Sequence, residues 1–213
     1  MAVIVVGGHS RSVGKTSVVS GLIAALPERR WTAMKITQFG HGICSVNGES
    51  CGCAVDEHTW SITDEQARSG KSDTSRFLAA GAARSIWVRT KQGMLAEAMP
   101  DVRRLLADST DAIIESNSVM RFLRPDLYLT VLDFATEDFK PSAQEFLDLA
   151  SALILHENAR EGAPEWRNVS LKPVAGRPVF YVRPPQYCTP EIVEFVRERL
   201  PAHSADLTKQ ERR

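Results

Sequence analysis

Near its start the chain reads GGHSRSVGKTSVVSGLIAAL, in which Gly14-Lys15-Thr16 could do phosphate chemistry. Glycines such as Gly7, Gly8 and Gly14 permit backbone conformations that side chains block. A loop that leaves a strand and opens a helix aims successive N–H groups at one point. The helix end adds roughly half a positive charge there, so anionic oxygens bind. Lys15 can reach β- and γ-phosphates, and the Thr16 hydroxyl can ligate Mg²⁺. The usual phosphate loop is G-x-x-x-x-G-K-[ST]; here five residues, not four, separate Gly8 from Gly14.

A second stretch carries metal-ligand chemistry. His41, Cys44, Cys51, Cys53 and His58 fall within eighteen residues of FGHGICSVNGESCGCAVDEH. Thiolates and imidazoles bind Zn²⁺, and cysteines also hold iron–sulfur clusters. The spacing is neither a standard finger nor a ferredoxin pattern. The expectation is a Zn²⁺ or Fe–S site on His41, Cys44, Cys51 and Cys53. Redox thiols, a transiently bound substrate metal, and cysteines with no shared role are the alternatives. Cys188 lies far away in sequence and is left unassigned.

The elements that must position these residues alternate. Apolar or β-rich runs at 2–6, 31–36, 84–90, 111–116, 126–133, 151–158 and 177–182 read as about seven strands. Between them lie helical patterns: KTSVVSGLIAAL ended by Pro27, DTSRFLAAGAA, GMLAEAMPDVRRLLADS begun or kinked at Pro100, and SAQEFLDLA. A last helix, TPEIVEFVRERL, carries Thr189 as N-cap and Pro190 at its first position. Such alternation predicts an α/β, three-layer, doubly wound, mostly parallel sheet. Ligands then sit beyond the carboxyl ends of the strands. One domain is expected over 1–200, with a Cys/Gly-rich insertion at about 38–60 and a polar tail over 201–213.

Composition excludes some partners. Lys plus Arg equals Asp plus Glu at 26 each, so no bulk charge draws the chain to nucleic acid or an anionic membrane. No apolar run approaches the ~18 residues that span a bilayer, and the N-terminus lacks the basic start of a signal peptide. A cytoplasmic protein is expected.

The loop GGHSRSVGKTSVVSGLIAAL resembles that of dethiobiotin synthetases and cobyrinic acid amidases, close to G-T-x-[ST]-x-V-G-K-T, which has the same additional residue. The resemblance implies a P-loop NTPase with nucleotide contacts from Gly8, His9, Ser10, Val13, Gly14, Lys15, Thr16 and Ser17. His9 stands at the family's small polar position. AMKITQFG places Lys35 where dethiobiotin synthetases carry a lysine facing phosphates and substrate, although Ile36 replaces their proline. IIESNS resembles the VEG segment of that family and of molybdopterin-guanine dinucleotide biosynthesis protein B, where the glutamate points at Mg²⁺; Glu115 takes that place. GKSDTSRFLAAGAA resembles a segment of the same molybdopterin family, making Asp73 an acidic residue near metal or substrate, unless it is a plain N-cap. The relatives place base contacts after the sixth and seventh strands, here Asn158 and Arg183. No Asn-Lys-x-Asp sequence is present, so ATP is the default and GTP stays open. The likeness loosely covers the first 135 residues.

Two functions follow as expectations. One is a Mg²⁺-dependent NTPase that activates or phosphorylates a small acidic precursor in cofactor biosynthesis, with Lys15, Lys35 and Glu115 as the catalytic groups. The other is an accessory NTPase that gates delivery of metal or molybdenum cofactor to a partner apo-metalloenzyme. Homodimers are common among the resembled families. The cobyrinic amidases carry a further glutaminase domain, so full amidase activity is not expected of a chain this short.

Overall fold

The computed structural model describes residues 1–39, 59–160 and 162–201. His41, Cys44, Cys51, Cys53 and His58, and the polar tail from 202 onward, lie outside the described residues. The strands are β1 (Val3–Gly8), β2 (Trp31–Phe39), β3 (Trp60–Asp64), β4 (Arg84–Lys91), β5 (Asp111–Glu115), β6 (Leu127–Leu132), β7 (Ala152–His156) and β8 (Val179–Val182). They form one eight-stranded sheet in the order β3-β4-β2-β5-β1-β6-β7-β8. Every pairing is parallel except β3 with β4.

The expected α/β class and mostly parallel sheet hold, with one strand more than expected. That strand, β3, is a short antiparallel edge with alternate residues exposed. The central strands β1, β5, β6 and β7 are almost wholly buried. Their continuous apolar runs follow from helices covering both faces.

One face is covered by α1 (Lys15–Ala25), α2 (Asp73–Ala79) and α5 (Pro190–Arg199). From α1 come Val18, Val19, Leu22 and Ile23, packed with Phe77 of α2 and Phe195 of α5. The other face takes α3 (Leu95–Ala107) and irregular segments that bring Met120, Phe146, Trp166 and Val174. Pro100 sits within α3 without ending it, on the exposed side. SAQEFLDLA does not make a full helix: α4 (Pro141–Gln144) is one turn, followed by a 3₁₀ turn at Leu147–Leu149. Pro190 opens α5 as expected, while Thr189 occupies the N-cap without a side-chain capping bond. No helix among the described residues is long and apolar enough to cross a membrane.

The winding sets where a ligand can bind. From β1 the chain runs outward through β2 to β4, returns to insert β5 beside β1, and then crosses to β6 on the other side. The crevice at that reversal lies beyond the carboxyl ends of β1, β5 and β2.

Candidate active site

The loop between β1 and α1 occupies this crevice. Gly14 adopts φ 97° and Ser12 φ 57°, the left-handed region, and the helix starts at Lys15. A Cβ on Gly14 would lie 2.1 Å from the Tyr187 ring, so that turn is closed against the segment after β8. Gly7 answers a different need. A Cβ there would meet Asn117 Oδ1 at 2.2 Å and the Tyr128 hydroxyl at 2.6 Å. Asn117 accepts from the Gly8 N–H at 2.9 Å and donates through Nδ2 to the Gly8 carbonyl at 2.9 Å. Its amide thus clamps the base of the loop as a neighbouring strand would.

Around the start of α1 the charged groups converge. The Thr16 hydroxyl donates to Glu115 Oε2 at 2.8 Å, and Lys35 Nζ donates to Glu115 Oε1 at 2.7 Å and also to Asp73 Oδ2. Lys15 Nζ donates to the Ser10 carbonyl. Glu115 is only 4% exposed and stands in register with Val6 on one side and Lys35 on the other. Asp73 is not the N-cap of α2. Ser72 fills that position and accepts from the Ser75 N–H, which leaves the Asp73 carboxylate to Lys35. Five expected residues, Lys15, Thr16, Lys35, Asp73 and Glu115, therefore form one cluster.

Burial sets the charge of the lysines. It pushes the Lys15 ammonium down to about 8, because only part of the lost hydration is returned by the Glu115 charge. Lys35 is also deprived of water, but Glu115 and Asp73 outweigh that and raise it. Lys140, in the loop after β6, is lowered by burial and by Arg11.

Oxygen donors fit Mg²⁺, which takes one or two carboxylates with phosphate oxygens and waters. Thr16 and Glu115 present such a pair, with Asp73 across Lys35. No group of three or more His, Cys, Asp or Glu side chains among the described residues could hold a metal by itself, as a Mg²⁺ site completed by phosphate would not require.

One expected loop contact is corrected. His9 is fully buried, its ring 4.9 Å from Trp166 and 5.2 Å from Phe139, and its N–H is taken by the Val131 carbonyl. Nδ1 donates to the Asp138 carbonyl at 2.8 Å while Nε2 accepts from the Asp133 N–H at 3.0 Å. That pairing specifies the neutral ring with its proton on Nδ1, and burial lowers its pKa accordingly. His9 fastens the loop to the segment after β6 instead of facing a ligand. Val13 buries its side chain, and its carbonyl meets His156 Nε2 at 3.1 Å. The Ser10 carbonyl accepts from Lys15 Nζ, and its hydroxyl donates to Asp138 Oδ2 at 2.7 Å. The Ser17 hydroxyl accepts from Arg76 Nη2 at 3.0 Å.

Asn158 and Arg183 lie apart from the cluster, at the ends of β7 and β8. Asn158 donates to Asp133 Oδ1 at 2.7 Å, and Arg183, with a side chain 79% exposed, pairs with Glu157 at 2.6 Å. Sequence reasoning did not single out Asn117, Arg76, Lys140 or Tyr187. Asn117 had a usable signal, since it closely follows the buried strand β5 on the edge that carries the loop. Cys188 packs its Cβ where a Gly21 side chain would be, and burial pushes its thiol up to about 11. It is a packed, inert thiol.

No protein-family model and no curated protein sequence matches the chain. Among solved structures, it is similar to LpxK from Aquifex aeolicus in complex with ATP, at 18% identity and TM-score 0.46 over 85% of this chain and 53% of that one. The chain thus spans about half the length of that relative. It is also similar to HypB from Helicobacter pylori in complex with nickel, at 13% identity and TM-score 0.46 over 94% of this chain and 90% of that one. MobB of Bacillus subtilis aligns at 12% identity and TM-score 0.41 over 95% and 99%. These likenesses are remote, and the molybdopterin-family and dethiobiotin synthetase types remain resemblances of short segments.

Proposed function

We infer that the chain is a Mg²⁺-dependent P-loop NTPase that transfers the γ-phosphoryl group of a nucleoside triphosphate to a small acidic acceptor. The observation that carries this is the meeting of Lys15, Thr16, Lys35, Asp73 and Glu115 at the N-terminus of α1. In this reading the loop and Lys15 hold the β- and γ-phosphates, and Thr16 and Glu115 hold the metal. Bound Mg²⁺ would supply neutralisation of charge on the phosphate oxygens. Lys35 stabilises charge on the transferring group, its cation secured by Glu115 and Asp73. An acceptor oxygen forms a bond to the γ-phosphorus as the bridging oxygen leaves with the diphosphate. An acceptor hydroxyl would give its proton to Asp73, whereas a carboxylate has none to give. Asn158 and Arg183, on the same sheet edge, are the candidates for base contacts, and ATP is the default nucleotide.

The reading is tested by turnover. Wild-type protein with Mg²⁺ and ATP should release or transfer phosphate faster when small carboxylates are added, and Glu115→Gln should slow this at least about tenfold. Unchanged turnover in Glu115→Gln would sink the metal role. A second reading, an accessory NTPase for metal or cofactor delivery, is favoured by the His41, Cys44, Cys51 and Cys53 stretch of the sequence. It requires turnover that responds to a partner metalloprotein and not to small carboxylates.

A further inference from the structure

The charged row of the site continues sideways across the sheet. In register lie Glu115 of β5, Lys35 of β2, Trp87 of β4 and Thr63 of β3. One rung further out lie Thr37, Arg89 and Ser61. Residues directly paired in a sheet project from the same face. These seven residues therefore share a face with the Lys35 ammonium.

The two faces of this ledge differ. The opposite one carries Ile36, Val88 and Thr90, all buried, and packs with residues of α3. On the Lys35 face, α2 packs on β4 at Ser85, whose hydroxyl donates to the Thr74 carbonyl, and reaches Lys35 through Asp73. Beyond those contacts Thr37, Trp87 and Arg89 are half-buried and Ser61 and Thr63 exposed, yet the residues there are organised. The Trp87 indole N–H donates to Thr37 Oγ1 at 2.9 Å. The Arg89 guanidinium lies over the Trp87 ring, 4.8 Å from its centroid. Arg89 Nη2 reaches Ser61 Oγ at 3.4 Å, and its Nε is buried without a hydrogen-bond partner. Arg89 forms no ion pair among the described residues.

A half-buried guanidinium held over an indole, with hydroxyls on the strands to either side and no ion pair among the described residues, is set to receive a planar monoanion. The terminal N–H groups of the guanidinium would give a carboxylate charge-assisted bonds. We propose that Arg89, with Trp87, Thr37 and Ser61, is the anchor for a carboxylate of the acceptor substrate. A single guanidinium matches the charge of a carboxylate and not that of a phosphate dianion. The Arg89 and Lys35 backbones stand one rung and one strand apart, roughly 8 Å. The acceptor is therefore a short-chain acid whose reacting group lies several bonds from the anchoring carboxylate.

This rests on the reading of the Lys35 cluster as a phosphoryl-transfer site, and the test separates the two. The full chain with Mg²⁺ and ADP is titrated with succinate, adipate and suberate while the Trp87 indole N–H resonance, assigned with Trp87→Phe, is followed. ADP affinity is measured on the same samples. The expected result is a saturable shift with at least one dicarboxylate, weakened about tenfold or more in Arg89→Met, whose ADP affinity stays within about twofold of wild type. A Trp87 resonance that no dicarboxylate moves, or that moves alike in Arg89→Met, overturns the proposal and assigns the stack to packing. Loss of ADP affinity in Arg89→Met also overturns it, since the residue would then serve the nucleotide. Wild-type protein that binds no ADP would sink the nucleotide reading itself.

Discussion

Lys15 is the residue at which burial and function meet. Its ammonium is lowered to about 8 by desolvation, so near pH 7 it is charged and above pH 8 the free protein loses that proton. Bound phosphates would raise the lysine again, so nucleotide binding takes up a proton above pH 8. The affinity for Mg·ADP should hold steady between pH 7 and 8 and then fall by as much as about tenfold per unit. Calorimetric titrations across pH 7 to 9.5 check this; a flat profile would mean that Lys15 does not face the phosphates. Lys15, Thr16 and Glu115 were legible because each sits at a strand or helix end in a short motif. Asn117 had a strand-end signal, but its pairing with Gly8 did not show, because the two lie 109 residues apart and only the β1–β5 register joins them. His9 misled for the opposite reason. A polar residue beside the loop glycines suggests a ligand contact, and only the folded chain reveals Trp166 and Phe139 packed against it.

At the scale of elements, long buried strands and α1 were visible from apolar runs and from the spacing of Val18, Val19, Leu22 and Ile23. SAQEFLDLA shows the limit of that signal. Ala143, Phe146, Leu147 and Ala150 are all buried at helical spacing, yet the α-helical bonds stop after one turn. Periodicity reported which side chains face the core, not which hydrogen bonds hold them. β3 escaped notice because five half-exposed residues after a glycine-rich stretch carry little apolar pattern. The sheet also depends on a contact at its other edge. Arg29 and Asp111 pair at 3.3 Å with both side chains buried, while Asp111 accepts from the Ala2 N–H at 2.6 Å and Arg29 donates to the Pro201 carbonyl at 2.8 Å. They tie the starts of β1 and β5 to the end of the last helix. Asp111→Ala would leave the Arg29 cation buried, and should destabilise the protein by about 3–5 kcal/mol in urea unfolding. A loss below about 1 kcal/mol would mean that water reaches the arginine.

For the molecule as a whole, the account is that one winding of the sheet brings a glycine loop, two lysines and two carboxylates to a single crevice. The α/β class followed from the alternation of strand and helix patterns, and the crevice from the rule that ligands bind where the winding reverses. The neighbouring Trp87–Arg89 face was not legible, because strand register alone places it beside Lys35. The measurement that bears most directly on this account is the binding of ATP and GTP to the full chain, with and without Mg²⁺, in wild type and Lys15→Ala. The account expects Mg²⁺-dependent binding of at least one nucleotide, weakened about a hundredfold or more in Lys15→Ala with the fold retained. Binding of neither nucleotide, or equal binding by the Lys15→Ala protein, would contradict it.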